Sequence, residues 1–396
     1  MDSKYFVSIG EINLAAQNVK DVALKSPLEK NYRLSSKYNS NIYLKREDLQ
    51  IVRSYKIRGA YNLICKLSAS EKEKGIITAS AGNHAQGVAF SANKLKIPAI
   101  IYMPLITPIQ KINKVKKFGG KYVEIKIVGN NFDESNKLAV DESIKTNKTF
   151  IPPFDDDLII AGQGTVAKEL LEQTSHSIDY LVVPIGGGGL IAGIISYFKI
   201  KSPNTKIIGV EPAGAEAMSE SIKKNRLVNL QKIDTFVDGA AVKKVGQKTF
   251  NITKGNVDRI IIVSPNQLSH EMIELYQEDG VIAEPAGALA VTALNSIKEE
   301  IKEKMVVCIV SGGNNDVHRY QDIIDKSLKH QGLKHHYQIK GLKSLENFEK
   351  YLNKNFGEEI KLMIEDIDYN NSSFNFSISY KNKDQIKIIE KYLSKI

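Results

Sequence analysis

Four short segments carry residue types and spacings that could do chemistry. In Ser54-Tyr55-Lys56-Ile57-Arg58-Gly59-Ala60 a lysine stands between an aromatic and an aliphatic residue at the start of a helical pattern. Burial lowers a lysine pKa and frees the neutral amine that condenses with a carbonyl group. On this segment alone a surface lysine on an amphipathic helix is the plainer reading. Ser80-Ala81-Gly82-Asn83-His84-Ala85-Gln86-Gly87 follows a strand pattern and opens a helix. Exposed N–H groups with serine and asparagine side chains at a helix start make an anion site suited to a carboxylate. The same residues also serve as an ordinary cap. In Pro184-Ile185-Gly186-Gly187-Gly188-Gly189-Leu190 four glycines join an apolar strand to a helix, so the backbone can approach a phosphate and aim its N–H groups inward. Neither the dinucleotide spacing with its acid nor the P-loop lysine is present. Phosphate binding is favoured over a flexible turn. Lastly, the serine of Ser311-Gly312-Gly313-Asn314 could hydrogen-bond a heterocyclic nitrogen or cap the next segment.

The elements that must hold these segments alternate. Strand patterns fall at 75–79, 99–103, 122–128, 180–184, 206–211, 259–263 and 305–310, and many of them are nearly all apolar. Helical stretches such as 85–95, 110–118 and 271–277 lie between them. Apolar strands are covered on both faces, and the alternation predicts an α/β fold of open, largely parallel sheets with flanking helices. Ligands in such folds collect at the carboxyl ends of strands, where three of the small-residue turns fall. Past residue 325 the texture changes. A basic, polar stretch, 326–334, reads as a linker, and 335–396 as a small α+β module of order β-α-β-β-α. Its apolar stripes are Leu345, Phe348, Leu352 and Phe356, then Phe374, Phe376, Ile378 and Tyr380, then Ile386, Ile389, Leu393 and Ile396. A module of about 60 residues folds alone only marginally, which points to a partner.

The chain's 55 basic and 45 acidic residues interleave, so its net charge of +10 reads as solvated helix faces and not as a nucleic-acid surface. Two cysteines without CxxC spacing exclude zinc and disulfide frameworks and fit a reducing cytoplasm. No metal is expected. His84 and His318 are each lone histidines, and no Ser/His/Asp order or carboxylate pair stands out. The first 24 residues lack a leader's apolar core, and no apolar run reaches the ~20 residues of a membrane helix.

Jointly, the segments resemble the fold-type II pyridoxal-phosphate enzymes, built like the tryptophan synthase β chain, and among them the threonine dehydratase (threonine ammonia-lyase) family. The resemblance runs from about residue 8 to 325. It rests also on Ser26-Pro27-Leu28, Lys45-Arg46-Glu47-Asp48, Pro153-Phe154-Asp155-Asp156, Ala161-Gly162-Gln163-Gly164-Thr165 and Glu284-Pro285-Ala286-Gly287-Ala288. It implies a catalytic domain of two α/β subdomains over 1–325 and an ACT-like regulatory domain, shortened, over 335–396. It implies a pyridoxal 5'-phosphate cofactor carried by Lys56, whose amine then takes the substrate's Cα proton. Asn83 meets the ring hydroxyl. Gly186, Gly187, Gly188, Gly189 and Leu190 hold the phosphate. Ser311 faces the pyridine nitrogen, and Ser80, Ala81, Gly82, Asn83 and His84 receive the substrate carboxylate. A neutral serine does not enforce a pyridinium as an aspartate does, which suits elimination better than transamination.

The implied reaction is dehydration and deamination of L-threonine to 2-oxobutanoate and ammonia, with L-serine going to pyruvate, as a first step of isoleucine biosynthesis. Related serine racemases carry a serine where this chain has Ala81, and alanine cannot move a proton. A serine dehydratase or racemase and a catalytically silent amino-acid sensor are the rivals; a sensor has no use for Lys56. The partners implied are an amino-acid substrate, isoleucine as effector and further copies of the chain, as dimer or tetramer. Departures are Tyr55, where phenylalanine is common, and Pro152, where histidine is common. Ile339-Lys340-Gly341-Leu342 replaces the proline-containing turn usual after the tail's first strand.

Overall fold

The computed structural model describes residues 6–368 and 373–394, so Ile396 and residues 1–5 of the N-terminal stretch lie outside the described residues. The chain divides into two units, one of residues 1–265 and 274–316, the other of 266–273 and 317–396.

The first unit opens with β1 (Leu28–Lys30) and β2 (Asn41–Arg46). There follow β3 (Ile76–Ala79), β4 (Ala99–Met103), β5 (Val123–Ile127) and β6 (Thr149–Phe150). Then come β7 (Tyr180–Pro184), β8 (Lys206–Pro212), β9 (Arg259–Val263) and β10 (Met305–Val310). One sheet runs β1-β2-β10-β7-β8-β9, the other β5-β4-β3-β6. Every pairing in them is parallel except β1 with β2, whose register sets Leu28 opposite Lys45. An α/β fold of parallel sheets is what the apolar strand runs predict. β3, β7 and β10 are buried at every residue. The helix Gly189–Lys201 is apolar nearly all round, and its residues up to Phe198 are buried, as a helix inside a core must be. Separate apolar clusters pack the two sheets, one around Leu181, Ile191 and Val307, the other around Ile76, Val88 and Ile101.

Strand order explains why distant motifs meet. β10 lies between β2 and β7, so the turn after β10 sits between the segments that follow the other two. In the smaller sheet β3 neighbours β6, which sets the segment after Ala79 beside residues 151–154.

In the second unit, β11 (Lys334–Lys340), β12 (Lys361–Asp368) and β13 (Ser373–Ser379) form an antiparallel sheet of order β11-β13-β12. Helices Leu342–Phe356 and Lys383–Leu393 complete the β-α-β-β-α order. Phe348, Phe376, Ile378 and Ile389 are fully buried in its core. The stretch 326–334, expected as a linker, is instead helical as far as Gln331, in the helix Tyr320–Gln331. Its polar composition hid an amphipathic face on which Ile323 and Ser327 are buried. Ion pairs Asp322–Lys326 and Asp325–Lys329 brace the outer side, and Gly332 ends the helix in the left-handed conformation. Among the described residues no helix is long and apolar enough to cross a membrane.

Candidate functional site

β2 delivers the chain to Ser54, which bridges Gly312, and to Tyr55, whose N–H donates to the Ser311 carbonyl at 3.2 Å. The helix Lys56–Lys66 starts there. Lys56 Nζ donates to the Pro153 carbonyl oxygen at 2.9 Å. Burial pulls its amine down to about 8, against a smaller upward pull from Glu284. The lysine is therefore buried, not the surface residue that its segment alone suggests, and a neutral amine is the form that condenses with a carbonyl.

The helix is fixed two residues on. Arg58, fully buried, forks onto Glu47 with two contacts of 2.8 Å and reaches Glu169 with contacts of 2.7 and 2.9 Å. Lys45, also fully buried, joins Glu169 at 2.7 Å. Burial alone would raise the Glu47 carboxyl, but Arg58 beside it holds it below the usual carboxylate range. Two cations and two carboxylates thus satisfy one another inside the fold, as buried charges must.

The tetraglycine turn follows β7 and opens the helix Gly189–Lys201. Among the described residues none of the N–H groups from Gly186 to Leu190 donates a hydrogen bond, although Gly187 to Leu190 are buried. Unsatisfied N–H groups at the first turn of a helix are an anion cradle. The glycines are required by space. A Cβ on Gly187 would enter the Phe154 ring, one on Gly186 would come within 2.9 Å of Ala240 Cα, and Gly188 has φ +93°. Because Pro153 accepts from Lys56 and the next residue, Phe154, packs on Gly187, the amine and the cradle meet across two adjacent residues.

Asn83 starts the helix Asn83–Leu95 at the end of β3. Its Nδ2 donates to Glu284 Oε1 at 2.5 Å, and its Oδ1 accepts from Asn314 Nδ2 at 2.7 Å. Ser311, nearly fully buried, donates its hydroxyl to the Ala286 carbonyl at 3.2 Å. Ser80 Oγ accepts from the Gly82 N–H at 3.2 Å, while the N–H groups of Ala81, Asn83 and His84 are undonated among the described residues. The His84 ring turns inward. Its Nε2 lies 3.0 Å from the Ile151 carbonyl, which can only accept, so Nε2 carries the hydrogen. Burial, with Lys56 adding to it, pulls the imidazole down to about 3, so it is neutral. A carboxylate at this loop meets His84's backbone, not a charged ring.

Glu284 is the residue the sequence motifs did not assign a role. It is buried, takes the Asn83 amide and the Asn314 N–H, and acts electrostatically on both Tyr55 and Lys56. Burial, helped by Asp238, pushes its carboxyl up to about 7. The signal was there: a single acid inside the apolar run from Val281 to Leu294 has to be buried, and a buried acid in a cleft is a functional candidate.

An aldehyde with an anionic tail fits this arrangement, since the amine able to take the aldehyde and the N–H groups able to take the tail adjoin one another. Comparison with known proteins agrees. Residues 19–312 match the family described as pyridoxal-phosphate dependent enzyme. The chain is 50% identical over 333 residues, 84% of its length and 80% of the relative's, to the L-threonine dehydratase biosynthetic IlvA of Halalkalibacterium halodurans. It is 49% identical over 84% of its length, and 79% of the relative's, to the protein of that name from Bacillus subtilis. Among solved structures, the processed form of threonine deaminase isoform 2 from Solanum lycopersicum superimposes with a TM-score of 0.76 at 40% identity, over 82% of this chain and 96% of that one. Maize serine racemase gives 0.74 at 30% identity, over 83% and 100%. The chain belongs to the pyridoxal-phosphate dependent enzymes.

Proposed function

We propose that the chain removes water and then ammonia from L-threonine, giving 2-oxobutanoate, and treats L-serine alike to give pyruvate. The observation that carries the reading is the meeting of the Lys56 amine with the tetraglycine cradle across Pro153 and Phe154. The dehydratases to which half of the matched residues are identical point to the substrate. A pocket for threonine separates it from serine by one methyl, worth only about 1–3 kcal/mol, so serine is expected to react.

When bound, pyridoxal phosphate supplies a conjugated ring that accepts the electron pair left at the substrate's Cα. Gly186, Gly187, Gly188, Gly189 and Leu190 hold its phosphate by their N–H groups. The loop of Ser80, Ala81, Gly82, Asn83 and His84 receives the substrate carboxylate at the helix start. Lys56 Nζ, neutral in a useful fraction near pH 8, takes the Cα proton and then, as an ammonium, hands a proton to the departing hydroxyl. Ser311 offers the ring nitrogen a neutral hydroxyl, which limits the charge withdrawn and favours elimination. Ala81 has no proton to give, so racemisation is not expected. The released enamine hydrolyses in water to the 2-oxo acid and ammonia.

The second unit is read as an ACT-like domain that binds isoleucine, in keeping with its β-α-β-β-α order and own core. With it go a homo-oligomer, dimer or tetramer, a cytoplasmic setting and the first step of isoleucine biosynthesis. Measuring 2-oxo acid from threonine and serine, with and without isoleucine, tests this. Wild-type protein should release it and Lys56→Ala should not; equal release by both rejects the reading.

A further inference from the structure

Lys114, on the helix Ile109–Gly119, is half-buried yet makes no ion pair among the described residues. Its ammonium donates to Asn314 Oδ1 at 3.0 Å. Burial, followed by Arg53, lowers its pKa, so the placement is costly and calls for a reason.

The reason lies in the direction of the bonds it starts. An ammonium only donates, and a backbone carbonyl only accepts. Asn314 touches one of each: its oxygen faces Lys114, and its nitrogen donates to the Val52 carbonyl at 2.8 Å. The orientation of this amide is therefore set by its neighbours. The same nitrogen donates to Asn83 Oδ1 at 2.7 Å, so Asn83's oxygen is taken on that side and its nitrogen must face Glu284, at 2.5 Å. One hydrogen of the Asn83 amide is then used. The second has no partner among the described residues.

We propose that Lys114, through Asn314, and Glu284, from the other end, fix Asn83 as a hydrogen-bond donor to the ring oxygen of bound pyridoxal phosphate. Both are positioning residues for the reaction. A donor at that oxygen stabilises its ionised form, whereas a rotated amide would present an acceptor and favour the neutral hydroxyl. The inference rests on the reading that Asn83 meets the ring oxygen.

The test is the visible absorption of the holoprotein, whose ionised and neutral ring-oxygen forms give separate bands. Lys114→Met removes the donor at the start of the chain. Glu284→Gln is isosteric and removes the charge at its end, so a readout remains if one variant folds poorly. Each should move the band ratio about two- to tenfold toward the neutral form, the range set by losing one such hydrogen bond. Lys114→Arg, which keeps a donor, should restore the wild-type ratio. Wild-type ratios in both Lys114→Met and Glu284→Gln, with the cofactor bound, overturn the proposal while leaving the enzyme reading intact. A wild-type protein with no cofactor band overturns both.

Discussion

At position 56 the side chain is worth following through pH. An unshifted lysine is neutral in about one molecule in several thousand at pH 7, and one with a pKa near 8 in about one in ten. Uptake of pyridoxal phosphate by the apoprotein should therefore speed up as pH rises through about 8 and level off above it, because the reactive neutral amine is the form favoured above the pKa. A rate still climbing beyond pH 10 in stopped-flow mixing would show an amine in ordinary water. The glycine at 187 makes a second case. Its missing side chain leaves the room that the Phe154 ring occupies, so Gly187→Ala has to displace the ring or the turn. Overpacking of this kind costs about 1–3 kcal/mol, and titration of the apoprotein should show cofactor affinity weaker by tenfold or more. The site was legible in the sequence where chemistry depends on residue type along a short run. The four glycines favour an anion site on their own, whereas Lys56 and the serine after β10 become candidates only when all the motifs are taken together. For Glu284 the sequence signals only burial, because its importance comes from the two asparagines brought to it in the fold, Asn83 and Asn314, far apart in the chain.

The element that presents Lys56 depends on the charges behind it. Arg58 and Glu47, both fully buried, are joined by charge-assisted bonds, and Arg58 reaches on to the partly exposed Glu169, so removing Glu47 strands a buried guanidinium group. Glu47→Leu should lower stability by about 3–5 kcal/mol. Breaking the exposed Arg259–Glu300 pair, with both side chains more than two-fifths exposed, should cost no more than about 1 kcal/mol. Urea unfolding of the two variants beside wild type decides it, and similar midpoints would mean that Arg58 finds water or another acceptor. The strands were legible for a related reason. Strands such as β7 and β10 are apolar throughout because both faces are covered, and that pattern survives without context. The helix Tyr320–Gln331 was missed in its second half because only Ile323 and Ser327 are buried and the rest of the surface is charged. β1, three residues long, carries too little sequence for any periodicity.

In the whole molecule, two units with separate cores divide the work proposed for them. Phe348 is fully buried in the second unit, where it packs 5.6 Å from Phe376, ring centre to ring centre. Phe348→Ala should cost about 3–5 kcal/mol, close to all that a core of this size supplies. Isoleucine binding followed by calorimetry should vanish in this variant, and undiminished binding would put the effector site elsewhere. The account as a whole turns on one covalent bond. Borohydride reduction of the holoprotein followed by peptide mass spectrometry locates the lysine that holds the cofactor. The prediction is a single pyridoxyl adduct on the peptide containing Lys56; an adduct on another lysine, or none, contradicts it.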